Sequence, residues 1–344
     1  MKAVSNKRFI VFSVIYYAVF TILMVVGSVF DLSIGKVIFN PENSFAAFME
    51  AFGQFVYWGM WGPALTVIFL CRRDLNESLN VIGRVFPFIK PVKNTEGKPY
   101  KICNSAVKII TTVGFFVLTV VGWKKLIENV TKNILLNMGK ENLGAVVYFA
   151  ISAVVAVIGI ILFSRLNRKT LQKLEAVALA GVLFGILCKL TEECKSITQR
   201  VRLREMVAYS NGFLNEKGLS EGKYSPLTVA MIEKTDFSAF TPWYKIGDNM
   251  GIYNRADSFP SGHTVYSCTL LMSYFLCVTS EKIKKFTPAA LCMAFVYAGV
   301  MGYTRMVTGA HYLTDIASGA LLGYTFFITV KVIYDKFTRK GIIG

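Results

Sequence analysis

Histidine occurs only twice in the 344 residues, as His263 and His311. Charge is scarce too, at 17% of the chain against about 25% in a soluble domain, which argues against a soluble globule. Acidic residues are the rarer sign, 21 against 38 basic ones. The seven cysteines (Cys71, Cys103, Cys188, Cys194, Cys268, Cys277 and Cys292) are scattered, mostly in apolar runs. None form C-x-x-C, so neither a disulfide framework nor a zinc site is indicated. The N-terminus has no clear A-x-A cleavage site, and its apolar run exceeds the roughly 7–15 residues of a signal h-region. It reads as a first membrane span. There is no internal repeat and no low-complexity segment.

What the chain has is apolar length. Hydrophobic residues make up 54% of it, mean hydropathy is +0.49, and several runs approach the roughly 20 residues needed to cross a bilayer. The expected fold is an all-α, polytopic transmembrane helix bundle. About eight spans are predicted, near 9–30, 46–71, 105–123, 143–164, 172–193, 262–279, 287–304 and 311–333. In the fifth, Glu175 and Lys189 flank a short clean stretch and must be buried or snorkel. Glycine pairs Gly181/Gly185 and Gly319/Gly323 fit close helix packing. The segment Lys124–Asn142 has helical periodicity, fitting a helix flat on the outer surface or an ordinary loop helix.

The net charge of +17 sits in short loops between apolar runs, the pattern of cytoplasmic loops, so no nucleic-acid partner is expected. With both termini cytoplasmic, the inner segments hold 21 Lys and Arg and the short outer loops 6. A long loop, 195–261, then falls outside. The expectation is an integral protein of the plasma membrane.

Three polar stretches converge on that outer end. The first is "KSITQRVRLR", Lys195–Arg204. The second is "PSGH", Pro260–His263, where proline and Ser-Gly-His open a helix whose free N–H groups attract phosphate. The third is "TRMVTGAHYLTD", Thr304–Asp315. There His311 and Asp315 stand four apart, a spacing at which a carboxylate can hold one imidazole nitrogen and aim the other outward. Lys195, Arg200, Arg202, Arg204 and Arg305 supply positive charge suited to phosphate oxygens. Each signal has a plainer reading: interface anchors for the basic residues, an N-cap for Ser261, a surface pair for His311 and Asp315. Their coincidence at one membrane face favours a site.

At these residues the chain resembles the type 2 phosphatidic acid phosphatase superfamily, the lipid phosphate phosphatases, whose pattern is K-x6-R-P, P-S-G-H and S-R-x5-H-x3-D. Pro260–His263 match the second element intact. The third reads Thr304-Arg305, five residues, His311, three residues, Asp315, with Thr304 keeping the serine hydroxyl. The first reads Lys195, six residues, Arg202, then Leu203 in place of proline. The composition leaves Arg200, Arg202 and Arg204 open as the phosphate ligand; the family pattern favours Arg202.

The resemblance implies a phosphatase core in 143–335, behind an N-terminal region, 1–142, of unassigned role. It implies His311 as the nucleophile forming a phosphohistidine, Asp315 as its orienter, and His263 as acid and then base. Lys195, Arg202, Arg305, Ser261 and the Gly262 N–H would hold the phosphate oxygens. No cofactor and no metal are implied. A site at the membrane–water boundary suits a lipid phosphate or pyrophosphate, its tail in the bilayer. The long loop is expected to roof the site, with Trp243 and Tyr244 as interface anchors. Two rivals stand beside this: a phosphatase for a water-soluble ester, and a transporter or scaffold with a relic site.

Overall fold

The computed structural model describes residues 6–72, 98–137, 143–223, 225–247 and 251–339. Their regular structure is helical. The helices are Asn6–Ile38 (α1), Ser44–Phe52 (α2), Phe55–Arg72 (α3), Lys98–Asn137 (α4), Ala145–Ser164 (α5), Arg168–Thr198 (α6), Leu203–Ser210 (α7), Gly262–Ser267 (α8), Ser273–Thr279 (α9), Thr287–Val307 (α10) and Leu313–Arg339 (α11). An isolated antiparallel bridge, Leu214 with Ser220, is the one extended pairing among the described residues. Hydrocarbon offers no hydrogen bonds to a backbone, so apolar stretches must satisfy theirs internally, as helices do. Six stretches among the described residues are long and apolar enough to cross a membrane: Phe9–Ile38, Ser44–Cys71, Ala145–Ser164, Arg168–Thr198, Lys284–Val307 and Leu313–Thr338. The protein is an all-α, polytopic membrane protein.

Two expected spans take other forms. The stretch 262–279 is helical throughout but in three pieces, with a 3-10 segment, Cys268–Met272, between α8 and α9. The stretch 105–123 lies inside α4, a helix of 40 residues and so about 60 Å long. The segment expected to begin afresh at Lys124 is the continuation of α4 as far as Asn137. No proline or glycine interrupts 124–137, and Lys124 pairs with Glu128 one turn on at 3.3 Å. Residues 138–142 lie outside the described residues.

The chain forms two compact units, Met1–Val56 with Gly185–Phe327, and Tyr57–Phe184 with Ile328–Gly344. In the second, Ala64, Val67, Ile68 and Ala178 make a buried cluster. The Trp123 indole donates to Thr66 Oγ1 at 3.1 Å and lies against Gly62 and Gly159.

The first unit carries every polar stretch singled out above. Its α1 packs on α11 through Tyr16, stacked on Tyr324 at 4.2 Å, with Phe20 and Phe295 alongside. The expected close packing at Gly319 and Gly323 is present. A Cβ at Gly319 would stand 2.6 Å from the Ser261 carbonyl oxygen, and one at Gly323 2.7 Å from Cys268 Sγ. That approach lets the Ser261 N–H donate to the Asp315 carbonyl at 2.9 Å, joining the start of α8 to the start of α11. The long segment after α6 is itself folded. Val201, Leu203, Met206, Val207, Leu227 and Tyr253 form a buried core with Phe39 and Tyr312.

Candidate active site

The site is assembled where four chain turns meet. After Lys195, α6 ends at Thr198, and Gln199 adopts a left-handed φ of 46° that swings the chain into Arg200. Arg202 is then the N-cap of α7 and Leu203 its first helical residue. That is the position where proline is favoured and where another residue merely leaves one N–H unused. The leucine in place of the family proline therefore leaves the local fold intact, and its side chain goes into the buried core.

The three alternating arginines have different fates. Arg200 spends four of its five N–H donors on the protein: Nε donates to the Thr241 carbonyl, Nη1 to Thr314 Oγ1 and to Asp315 at 2.5 Å, and Nη2 to Asp31 at 2.8 Å. Its plane also lies 4.3 Å from the Tyr312 ring. Arg202 pairs with Asp257 at 2.9 Å, leaving its Nε without a hydrogen-bond partner. Arg204 binds the Glu50 carboxylate through Nη1 at 3.0 and 3.2 Å, leaving Nε and Nη2 without one. Arg305 shares that carboxylate, with Nη2 3.1 Å from Oε1 and Nη1 2.9 Å from Oε2, and its Nε is also unpartnered. Arg202, Arg204 and Arg305 are all buried. Native interiors rarely leave such donors unmet, so this concentration of them marks an anion cradle.

His311 follows α10, whose end is turned by Gly309 at φ 64°, and precedes α11. It thus sits before the helix rather than on a helical face with Asp315. Its Nδ1 is 2.7 Å from the Ser258 backbone carbonyl and 3.6 Å from the Asp315 carboxylate. A carbonyl only accepts, so Nδ1 carries the proton and Nε2 a lone pair. That Nε2 is buried and has no hydrogen-bond partner. Asp315 is engaged by Arg200, by the Tyr312 N–H at 2.8 Å and by the Ser258 hydroxyl. The residues expected from sequence as nucleophile and orienter are adjacent, but the direct orienting bond comes from Ser258.

The His263 and His311 rings face each other across 6.4 Å, tilted by 58°. Ser261 caps α8, accepting from the Thr264 N–H at 3.4 Å. Lys195 is held by Glu192 at 3.1 Å, and a Cβ at Gly262 would stand 2.8 Å from its Nζ. All eight residues singled out from sequence therefore lie in the first unit around the two histidines. Trp243 stacks on Phe259 at 5.8 Å and donates to Ser28 at 2.9 Å, whereas Tyr244 is exposed.

Electrostatics follow from this packing. Burial, then Arg202, Arg305 and Lys195, holds His311 well below the ordinary imidazole range, so it is neutral and nucleophilic at neutral pH. Burial brings Arg202 down to about 10, against the opposing pull of Asp257, and it stays charged at neutral pH. Lys223 is exposed, yet desolvation by the surrounding protein brings it down to about 8 against the pull of Glu50, helped by Arg255, Arg204 and Arg305. Among the described residues no group of three His, Cys, Asp or Glu side chains is placed to hold a metal ion.

Three acids that sequence reasoning did not assign complete the site: Asp31 of α1, Glu50 of α2 and Asp257. Asp31 and Glu50 are carboxylates inside apolar stretches, and that rarity was the available signal.

Residues 218–339 match the family described as the PAP2 superfamily. A stretch of 90 residues is 30% identical to phosphatidylglycerophosphatase B of Bacillus subtilis (strain 168), covering 26% of this chain and 44% of that protein. The chain thus matches less than half the length of this relative. No solved structure matches.

Proposed function

We propose, from the match of residues 218–339 to the PAP2 superfamily, that the chain is a membrane phosphatase that hydrolyses a lipid phosphate or pyrophosphate through a phosphohistidine. The observation that carries this reading is His311 Nε2: a buried, unpartnered nitrogen on a ring that feels the charges of Arg202 and Arg305, each of which has an Nε without an acceptor.

In the first half-reaction the Nε2 lone pair attacks phosphorus and the bond from phosphorus to the ester oxygen breaks. His263 gives its proton to the leaving alkoxide, help worth about 10²–10⁴-fold. The 6.4 Å between the rings is room for a phosphoryl group between nucleophile and acid. In the second half-reaction His263 takes a proton from water, whose oxygen attacks phosphorus. The N–P bond breaks, inorganic phosphate leaves, and His311 is neutral again. Lys195, Arg202, Arg305, Ser261 and the Gly262 N–H hold the equatorial oxygens, so catalysis is chiefly positioning and charge stabilisation. Arg202 is the phosphate ligand of the first motif, because Arg200 is held by two carboxylates whereas Arg202 keeps a buried Nε without a partner. Asp315 acts indirectly, fixing Arg200 and the Ser258 hydroxyl so that the Ser258 carbonyl aims His311.

The charge bias of the short loops supports a site at the outer face, where the head group of a carrier lipid or phospholipid phosphate would reach it. The test is phosphate release from a panel of lipid phosphates, lipid pyrophosphates and soluble esters, in EDTA, with and without vanadate. The reading expects vanadate-sensitive release from at least one lipid in EDTA. Release only from soluble esters, or none at all, overturns it.

A further inference from the structure

We propose that Arg204, outside the positions of the family pattern, is a further ligand of the substrate's phosphate; this rests on the phosphatase reading above. Arg204 is 3% exposed, and both its Nε and Nη2 lack a hydrogen-bond partner. A buried guanidinium ordinarily engages its donors, and leaving them unmet is costly.

The neighbouring acids do not fill this need. Glu50 takes only Nη1, and it serves Arg305 with the same carboxylate. Two guanidinium groups thus share one carboxylate, and the Nε of each has no hydrogen-bond partner. Glu205 lies 3.9 Å from Nε, too far for a hydrogen bond. Its Oε2 takes the Ser220 hydroxyl at 2.6 Å and the Gly222 N–H at 3.4 Å, so Glu205 lends Arg204 charge compensation through Oε1 but no hydrogen bond.

The placement of Arg204 fits a phosphate ligand. Sharing Glu50 puts its guanidinium beside that of Arg305. Its backbone N–H donates to the Gly309 carbonyl at 3.0 Å, which ties it to the turn between Arg305 and His311. Carboxylate and phosphate oxygens make the same demands on a guanidinium, so a pair already bridged by Glu50 is preset for a second oxyanion. Arg204 therefore joins Arg202 and Arg305 in the cradle, and α2, through Glu50, presents it.

The experiment compares wild type, Arg204→Met, Arg204→Ala and Arg204→Lys, each as the full chain purified in detergent. The probes are the lipid phosphate that wild type hydrolyses fastest, and orthovanadate. Loss of a charge-assisted contact predicts that Arg204→Met raises both KM and the vanadate inhibition constant by about tenfold to a hundredfold. Methylguanidinium added to Arg204→Ala should restore part of the loss, which it would not do for a purely structural arginine. If Arg204→Met fails to fold, Arg204→Lys decides, with the same two constants raised. Wild-type KM and vanadate inhibition in a folded Arg204 variant overturn the proposal. A wild type that releases no phosphate overturns the phosphatase reading instead.

Discussion

The Nδ1 of His311 lies 2.7 Å from the backbone carbonyl oxygen of Ser258, while the Asp315 carboxylate stands at 3.6 Å. The His311 tautomer is therefore set by a main-chain atom. Ser258 is fixed in turn by its own N–H to the Arg200 carbonyl at 3.0 Å and by its hydroxyl to Asp315. Ser258→Ala removes only the hydroxyl contact and is expected to lower kcat by up to about tenfold. Asp315→Asn also leaves Arg200 short of one carboxylate and should cost more. Steady-state turnover of the two variants checks the order; the reverse order would show that Asp315 acts on His311 without Ser258.

The pH profile follows from the cations around His311. Burial, Arg202, Arg305 and Lys195 all disfavour the imidazolium, so the folded value lies below the ordinary one. Activity that needs neutral His311 is then present at neutral pH and lost only as pH falls below the usual histidine range. Arg202→Gln removes one repelling charge and should move the acid limb of kcat/KM upward. Profiles of wild type and variant on one substrate test this, and an acid limb that moves downward contradicts it.

Asp31 sits in α1, far from the segment that matches the family, yet it is part of the same network. It takes Arg200 at 2.8 Å and the Thr314 N–H at 3.0 Å. Breaking one partner out of a buried ion pair costs about 3–5 kcal/mol. Asp31→Ala is expected to lower the thermal midpoint sharply, and Asp31→Glu to recover only part of it. Unfolding followed by intrinsic fluorescence in detergent measures both.

Orientation has its own test. With the native thiols replaced, single cysteines at Lys217 and Lys282, both exposed, report the two sides. A membrane-impermeant thiol reagent on intact cells should label position 217 and spare 282. The reverse pattern would put the site in the cytoplasm and change the substrates it meets.

The parts of the site legible in sequence are those whose chemistry is carried by close neighbours. The Pro260–His263 element and the spacing of Arg305, His311 and Asp315 each bind local residue types to one function. Asp31 and Glu50 were illegible as partners because 169 and 154 residues separate them from Arg200 and Arg204. An acid in an apolar helix announces that it needs a cation, but not which one. The Ser258 carbonyl was illegible for a different reason: a backbone acceptor is present at every position and leaves no mark in the pattern. The same holds for the fold. Apolar length predicted helices at every expected span, but the 3-10 segment in 262–279 and the continuous α4 depend on packing and on uninterrupted propensity.

The central claim is that His311 Nε2 forms a bond to phosphorus. The direct measurement is trapping of a phosphoenzyme by an alkaline detergent quench, from a phosphorus-32-labelled activated phosphate ester, using wild type, His263→Ala and His311→Ala. The account predicts an acid-labile, base-stable label that accumulates in His263→Ala, maps to the peptide carrying His311, and is absent from His311→Ala. Label retained in a folded His311→Ala protein, or turnover by that variant at the wild-type rate, would contradict it.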